Sequence, residues 1–172
     1  MDGEYRGGLT SVPGKVGTAL SFVSLNDDIE TGDIDFPAGT SATFSFWLND
    51  DPADMGWGDG WRQMMGKDGG NSNYYIELSP TGGFVFGIES PSTTYNEYES
   101  SSPQEARGAW RLYTVAHTFG NASSTKMWVN GQPVTGSWVR GSGAVTPVND
   151  VPMGIAPAMT GALDDVRIYD RI

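Results

Sequence analysis

Residues Ser41 to Asn49 read SATFSFWLN. Side chains of a β-strand alternate between its two faces, so Phe44, Phe46 and Leu48 fall on one side and Thr43, Ser45 and Trp47 on the other. One face is wholly apolar and the other mixed, which is the pattern of a strand packed on one side against a core. The same two-residue period returns along the chain. Tyr74 to Ile88 (YYIELSPTGGFVFGI) reads as a hairpin, with Ile76 and Leu78 leading into the turn PTGG and Phe84, Phe86 and Ile88 leading out of it. Trp110 to Phe119 (WRLYTVAHTF) is a long run of strand-forming residues. Lys126 to Val134 (KMWVNGQPV) contains Asn130-Gly131, a pair suited to the positive φ angles of a two-residue hairpin turn. Leu163 to Tyr169 (LDDVRIY) sets Val166 and Ile168 on one face.

Helical periodicity is almost absent, and Gly, Pro, Asn, Asp and Ser separate the apolar runs. The chain has 172 residues with 24 glycines and 10 prolines, a composition that suits many turns joining short strands. Roughly ten to thirteen strands are expected, with no visible linker or repeat. The reading is therefore an all-β fold, a two-sheet antiparallel β-sandwich of jelly-roll type forming a single domain over residues 1–172. The longest loops are expected at Asn49–Trp61 and Glu89–Ala109, where function often concentrates.

Charge and composition narrow the partners. The net charge is −11 and the pI about 4.2, so a phosphate backbone is repelled and nucleic acid is excluded as a partner. An acidic surface suits divalent cations and neutral sugars. There is no cysteine, so disulfides and thiolate metal sites are excluded. No apolar run approaches the ~18 residues of a membrane span, so no membrane insertion is expected. Met1 to Lys15 lacks the apolar core of a secretion signal, which points either to a protein whose signal is already removed or to one carried on a virus particle.

Several segments resemble the laminin-G-like jelly rolls of bacteria and phages, within the concanavalin A-like lectin and glucanase family. PGKVGTALSF (Pro13 to Phe22) is similar to that family's opening strand, and LNDDIE (Leu25 to Glu30) to the short strand that follows. ATFSFWL, GAW, MWVNGQPV and GALDDVRIYDR then come in the family's order. The resemblance implies the fold, but its members include sugar-binding modules, adhesins, enzyme domains and virion proteins, so it does not by itself give function. It also implies a strand ahead of the region matching Met1 and further residues beyond Ile172. Against that pattern the chain is trimmed at both ends. The segment MDGEYRGG is too glycine-rich for a good strand, which leaves a sheet edge that another copy or a larger scaffold could cover. In related sandwiches the aspartate before the Val-Arg-Ile-Tyr type of strand helps hold a structural calcium ion. Here that residue is Asp164, with Asp2 or Glu4 as N-terminal partners and backbone carbonyls completing six to eight oxygens. Asp27 and Asp28 form an alternative site.

Catalytic patterns are not found. Glycosidases on this fold carry carboxylates at alternate strand positions. The nearest candidates, Glu30, Asp33 and Asp35, are broken by glycine and a turn-like stretch. Asp164 and Asp165 are adjacent and so point to opposite faces. Lyases on the fold need a set of Arg, Gln, His and Tyr that does not surround His117, the one histidine. No serine nucleophile elbow is present. The expectation is that the protein is not an enzyme.

Aromatic side chains in polar surroundings carry the binding signal. Trp47, Trp110 and Trp128 lie in expected strands and read as core or sheet-face residues. Trp57 and Trp61 lie in MGWGDGWRQ beside Asp50, Asp51, Asp54 and Arg62; Tyr95 and Tyr98 lie in STTYNEYESSS, and Trp138 in TGSWVRGSG. Sugar rings stack on aromatic faces while carboxylates and amides bind their hydroxyls. The first reading is a non-catalytic module that binds a polysaccharide or cell-surface glycan, displayed outside a cell or on a particle. The rival is a structural virion protein, a head decoration or a fibre or tail component, that binds a capsid or other scaffold or associates with itself through its N-terminal edge. A glycoside hydrolase or lyase comes third.

Overall fold

The structure, a computed structural model, describes residues 3–51, 53, 60–67, 73–89, 95–105 and 107–172. Among these the strands are β1 (Glu4–Arg6), β2 (Thr10–Pro13), β3 (Thr18–Phe22), β4 (Asp28–Asp33), β5 (Ser41–Asp50), β6 (Arg62–Lys67), β7 (Tyr74–Leu78), β8 (Phe84–Glu89), β9 (Tyr95–Ser100), β10 (Trp110–Thr118), β11 (Lys126–Val129), β12 (Gln132–Val134), β13 (Gly136–Arg140), β14 (Pro152–Ala158) and β15 (Gly161–Tyr169). A 3-10 turn spans Ala122–Ser124, and no described helix is long and apolar enough to cross a membrane.

The strands form two antiparallel sheets. One has eight strands in the order β1-β4-β14-β6-β7-β8-β9-β13; the other has seven in the order β12-β11-β10-β5-β15-β3-β2. They pack face to face as a sandwich, because each presents one apolar face to the other. From β5 come Phe44, Phe46 and Leu48, and from the β7–β8 hairpin Tyr74, Ile76, Leu78, Phe84, Phe86 and Ile88, all buried. Aromatic rings fill the space between the sheets. Phe36 stacks on Phe119 at 4.8 Å between ring centres, and Tyr113 meets Phe46 at 5.7 Å and Phe84 edge-on at 5.0 Å. The buried Tyr113 hydroxyl donates to the Gln104 carbonyl at 2.7 Å, so its polar end is satisfied. At the β11–β12 turn, Asn130 and Gly131 have φ of 53° and 73°, the left-handed pair that a two-residue hairpin requires.

Three expectations are corrected. The glycine-rich N-terminus does form a strand: β1 pairs with β4 in the register Tyr5 to Ile29, and Arg6 reaches Glu30 at 2.7 Å. Cross-strand pairing and this ion pair outweigh the entropic cost of the flanking glycines. The edge that a missing strand would leave open on β4 is thus covered from within the chain. Second, Glu89–Ala109 is not one loop, since it contains β9, and the described residues already form fifteen strands where roughly ten to thirteen were expected. Third, Asp164 and Asp165 do not simply alternate, because β15 bulges between Asp164 and Arg167 and Asp165 takes φ 51°.

β6 carries a buried cation at each end. Lys67 donates to Asp33, to Asp35 at 2.6 Å and to the Asn149 carbonyl at 2.7 Å. Arg62 donates to Asp50 at 3.4 Å, to Glu105 at 3.1 Å and to the Ser79 carbonyl at 3.3 Å. Charges this deep persist only with several partners each.

Candidate functional site

The outer face of the eight-stranded sheet is built by the strand positions that the core does not use. Because Tyr74, Ile76 and Leu78 face inward, Tyr75 and Glu77 face outward. Strand register then sets their neighbours. One cross-strand row runs Gln63, Glu77, Val85, Glu99; the next runs Gly66, Tyr75, Gly87, Glu97, Arg140; a third brings Glu89 beside Tyr95. Together with Trp61, Lys67 and Asn73, most of these line a groove of about 370 Å³. That lies within the range of small-molecule sites, about 300–1,000 Å³.

The glycines explain the floor. A Cβ on Gly87 would run into the Tyr75 ring, and one on Gly66 would meet the Tyr75 Cβ and the Gln63 amide. With hydrogen at both positions the Tyr75 ring lies across β8, and its hydroxyl donates to Glu97 Oε1 at 3.2 Å. Burial, and then the carboxylates of Glu97 and Glu77, push the Tyr75 phenol well above its ordinary range, so it stays a donor. Arg140 closes the row by donating from Nη1 to Glu97 Oε1 at 3.2 Å, with Nε 3.2 Å from Oε2 in the same ion pair, while its guanidinium lies 6.0 Å from the Tyr95 ring centre. The Glu89 carboxylate, then burial, raises the Tyr95 phenol. On its other side Glu89 accepts from the Asn73 amide at 3.1 Å. The groove thus offers aromatic surface at Trp61 and Tyr95, with carboxylates and amides between them.

The residues singled out in the sequence separate into groups. Trp61 and Tyr95 line the groove. Tyr98 and Trp138 do not reach it. They meet edge-on at 5.5 Å against the core, and Trp138 Nε1 donates to the Ala122 carbonyl at 2.9 Å. Trp57 and Asp2 lie outside the described residues. Glu4 sits in β1 at the edge of the eight-stranded sheet, whereas Asp164 sits in β15 of the other sheet, where its Oδ2 accepts from the Val16 N–H at 2.7 Å. Among the described residues no three His, Cys, Asp or Glu side chains converge as a metal site. Asp27 is taken up by backbone: the N–H groups of Gly8, Val23 and Ser24 point at its carboxylate, and that of Gly8 above all holds the acid below its usual range. His117 is buried between the sheets against Phe86 and Phe119, with Nδ1 2.9 Å from the Thr125 hydroxyl. Gln63, Asn73, Tyr75, Glu77, Glu89, Glu97 and Arg140 were not read as site residues from the sequence. Their signal was the off-core positions of a hairpin whose core positions were plain, with Gly87 cross-strand from Tyr75.

No match was found among curated proteins. Solved structures with this architecture include domain 4 of AbnA, an extracellular arabinanase from Geobacillus stearothermophilus in complex with arabinotriose (TM-score 0.65, 16% identity, 96% of this chain and 76% of that one). The binding domain of botulinum neurotoxin serotype D superposes with a TM-score of 0.70 at 14% identity, over 99% of this chain but 43% of that one. The carbohydrate binding module CBM66 from Bacillus subtilis gives 0.54 at 11% identity, over 94% and 92%. At such identities the likeness is one of fold. The sequence profile of the concanavalin A-like lectin/glucanases superfamily matches residues 24–172, and the chain belongs to that superfamily.

Proposed function

We propose that the chain is a non-catalytic glycan-binding module, displayed outside a cell or on a particle surface, that holds a saccharide in the groove over β6 to β9. The observation that carries this reading is the placement of Trp61 and Tyr95 at a groove whose remaining lining is carboxylate, amide and phenol with two acid-paired cations, Lys67 and Arg140. Aromatic faces take the apolar faces of sugar rings, and the polar groups between them take the hydroxyls. The fold neighbours that include a carbohydrate binding module and an arabinotriose complex support it. So does the position of His117, which is enclosed between the sheets and cannot serve the groove as acid or base.

Affinity electrophoresis through gels of soluble polysaccharides tests the proposal. The wild type is retarded by at least one glycan and releases no product from it. Trp61→Ala and Tyr95→Ala each weaken retention about tenfold, a loss of about 1.4 kcal/mol, while their melting temperatures stay close to wild type. Full retention in both variants would place the site elsewhere.

A further inference from the structure

The charges around the groove are segregated along the chain. From residue 68 to residue 106, the stretch that contains β7, β8 and β9, there is no lysine or arginine, yet it carries Asp68, Glu77, Glu89, Glu97, Glu99 and Glu105. Of these, Glu77, Glu89 and Glu97 line the groove. The two cations in the lining, Lys67 and Arg140, come from outside that stretch, and both are engaged with acids. Lys67 is fully buried and donates to Asp33 and Asp35, so its charge is balanced outside the groove. Arg140 turns Nε and Nη1 to Glu97. A ligand in the groove therefore meets a negative field, focused by the low-dielectric sheet beneath it.

We infer that the groove discriminates by ligand charge, taking amino sugars and neutral sugars and rejecting sialic and uronic acids. This rests on the glycan-binding reading and sharpens it. A sugar carboxylate placed among Glu77, Glu89 and Glu97 meets like charges at close range and finds no cation that is not already turned to an acid. A sugar ammonium meets the same groups as counterions. A neutral hydroxyl-rich ring is indifferent to the field, and hydrogen-bonds to the carboxylates as acceptors. The expected order of affinity is amino, then neutral, then acidic.

Matched saccharides test the order: chito-oligosaccharides in the deacetylated and N-acetylated forms, lactose against sialyllactose, and galactan against polygalacturonate. Binding of the whole chain is measured at low and at high salt. At low salt each acidic member binds at least tenfold more weakly than its neutral counterpart, and the deacetylated chito-oligosaccharide binds at least as well as the acetylated one. The differences shrink as salt screens the groove. Glu89→Gln narrows the gap between neutral and acidic members; because Glu89 lies at the open end of β8, this variant is the one chosen, with a melting curve to verify folding. An acidic member bound as tightly as its neutral counterpart overturns the charge rule while leaving glycan binding standing. A gap that Glu89→Gln does not change, in a folded variant, also overturns it. Binding to no member of the panel overturns both readings.

Discussion

β5 and β7 lie in opposite sheets and contribute alike to the core, but their outer faces differ. Along β5 every second residue is buried and the intervening ones are only half-buried, ending with Trp47 and Asn49 beside solvent. Along β7 every residue is buried, including the outward-facing Tyr75 and Glu77. The cover over β7 is made by the polar and aromatic side chains of neighbouring strands, which meet over it and form the groove. Burial on an outer face thus marks the place where side chains from several strands converge. A strand in a plain solvated sheet shows the alternation of β5 instead.

The largest expected effect separates the two faces of β5. Phe44→Ala removes a ring at the centre of the aromatic layer and destabilises the fold by about 3–5 kcal/mol. Thr43→Ala, one residue away on the outer face, changes stability by about 0.5 kcal/mol or less. Urea denaturation of the two variants measures the contrast, and equal losses would break it.

Acid probes the layer between the sheets. Burial lowers His117 to about 4, whereas an unfolded histidine titrates near 6.5. Between those values the unfolded chain binds the extra proton, so stability is intact above 6.5 and falls as the pH drops toward 4, by about 3 kcal/mol in all. Urea curves at pH 7 and pH 4 compare wild type with His117→Gln. The variant is expected to lose that part of the pH dependence while retaining the part due to carboxylates.

Gly87→Ala sharpens the comparison from the side of β7. The added methyl group displaces the Tyr75 ring, costing about 1–3 kcal/mol and disrupting the floor of the groove. Glycan retention should fall further than in Trp61→Ala. If retention survives, the orientation of Tyr75 is irrelevant to binding. A smaller effect belongs to Asp164→Ala, which removes the acceptor for the Val16 N–H, a part-buried bond, at a cost of about 0.5–1.5 kcal/mol. The same variant tests the calcium ion expected there. With an ion present, chelator lowers the wild-type melting temperature and leaves the variant unchanged; identical wild-type melts with and without chelator dispose of it.

The strands with one apolar face were legible in the sequence. SATFSFWLN, the hairpin around PTGG and the Asn130-Gly131 turn declare themselves through period and turn chemistry, and all three stand in the structure. β9 was not legible, because YNEYES is polar on both faces: Glu97 lines the groove, while Asn96 spends its amide and carbonyl on the backbone of Ile88, Ser142 and Gly143. Of the site, Trp61 and Tyr95 could be picked out as aromatic residues in polar surroundings. The row from Gly66 through Tyr75 and Gly87 to Glu97 and Arg140 could not, since it exists only once register has set five strands side by side. Tyr98 differs from Tyr95 for the same reason: three residues apart, they stand on opposite faces of one strand.

The order of strands in the seven-stranded sheet has a consequence for biosynthesis. β15 lies between β5 and β3, both of which are made long before it. Until β15 emerges from the ribosome, β5 has a partner only in β10 and β3 only in β2, so the sheet exists as two separate ribbons with unpaired edges facing a gap. Its closure is then a late, non-local event, in which Leu163 joins Leu20 on one side and Leu48 on the other. A nascent chain of this kind exposes sticky strand edges until β15 pairs, and its yield in a cell depends on how fast that strand arrives or on how well chaperones shield the gap.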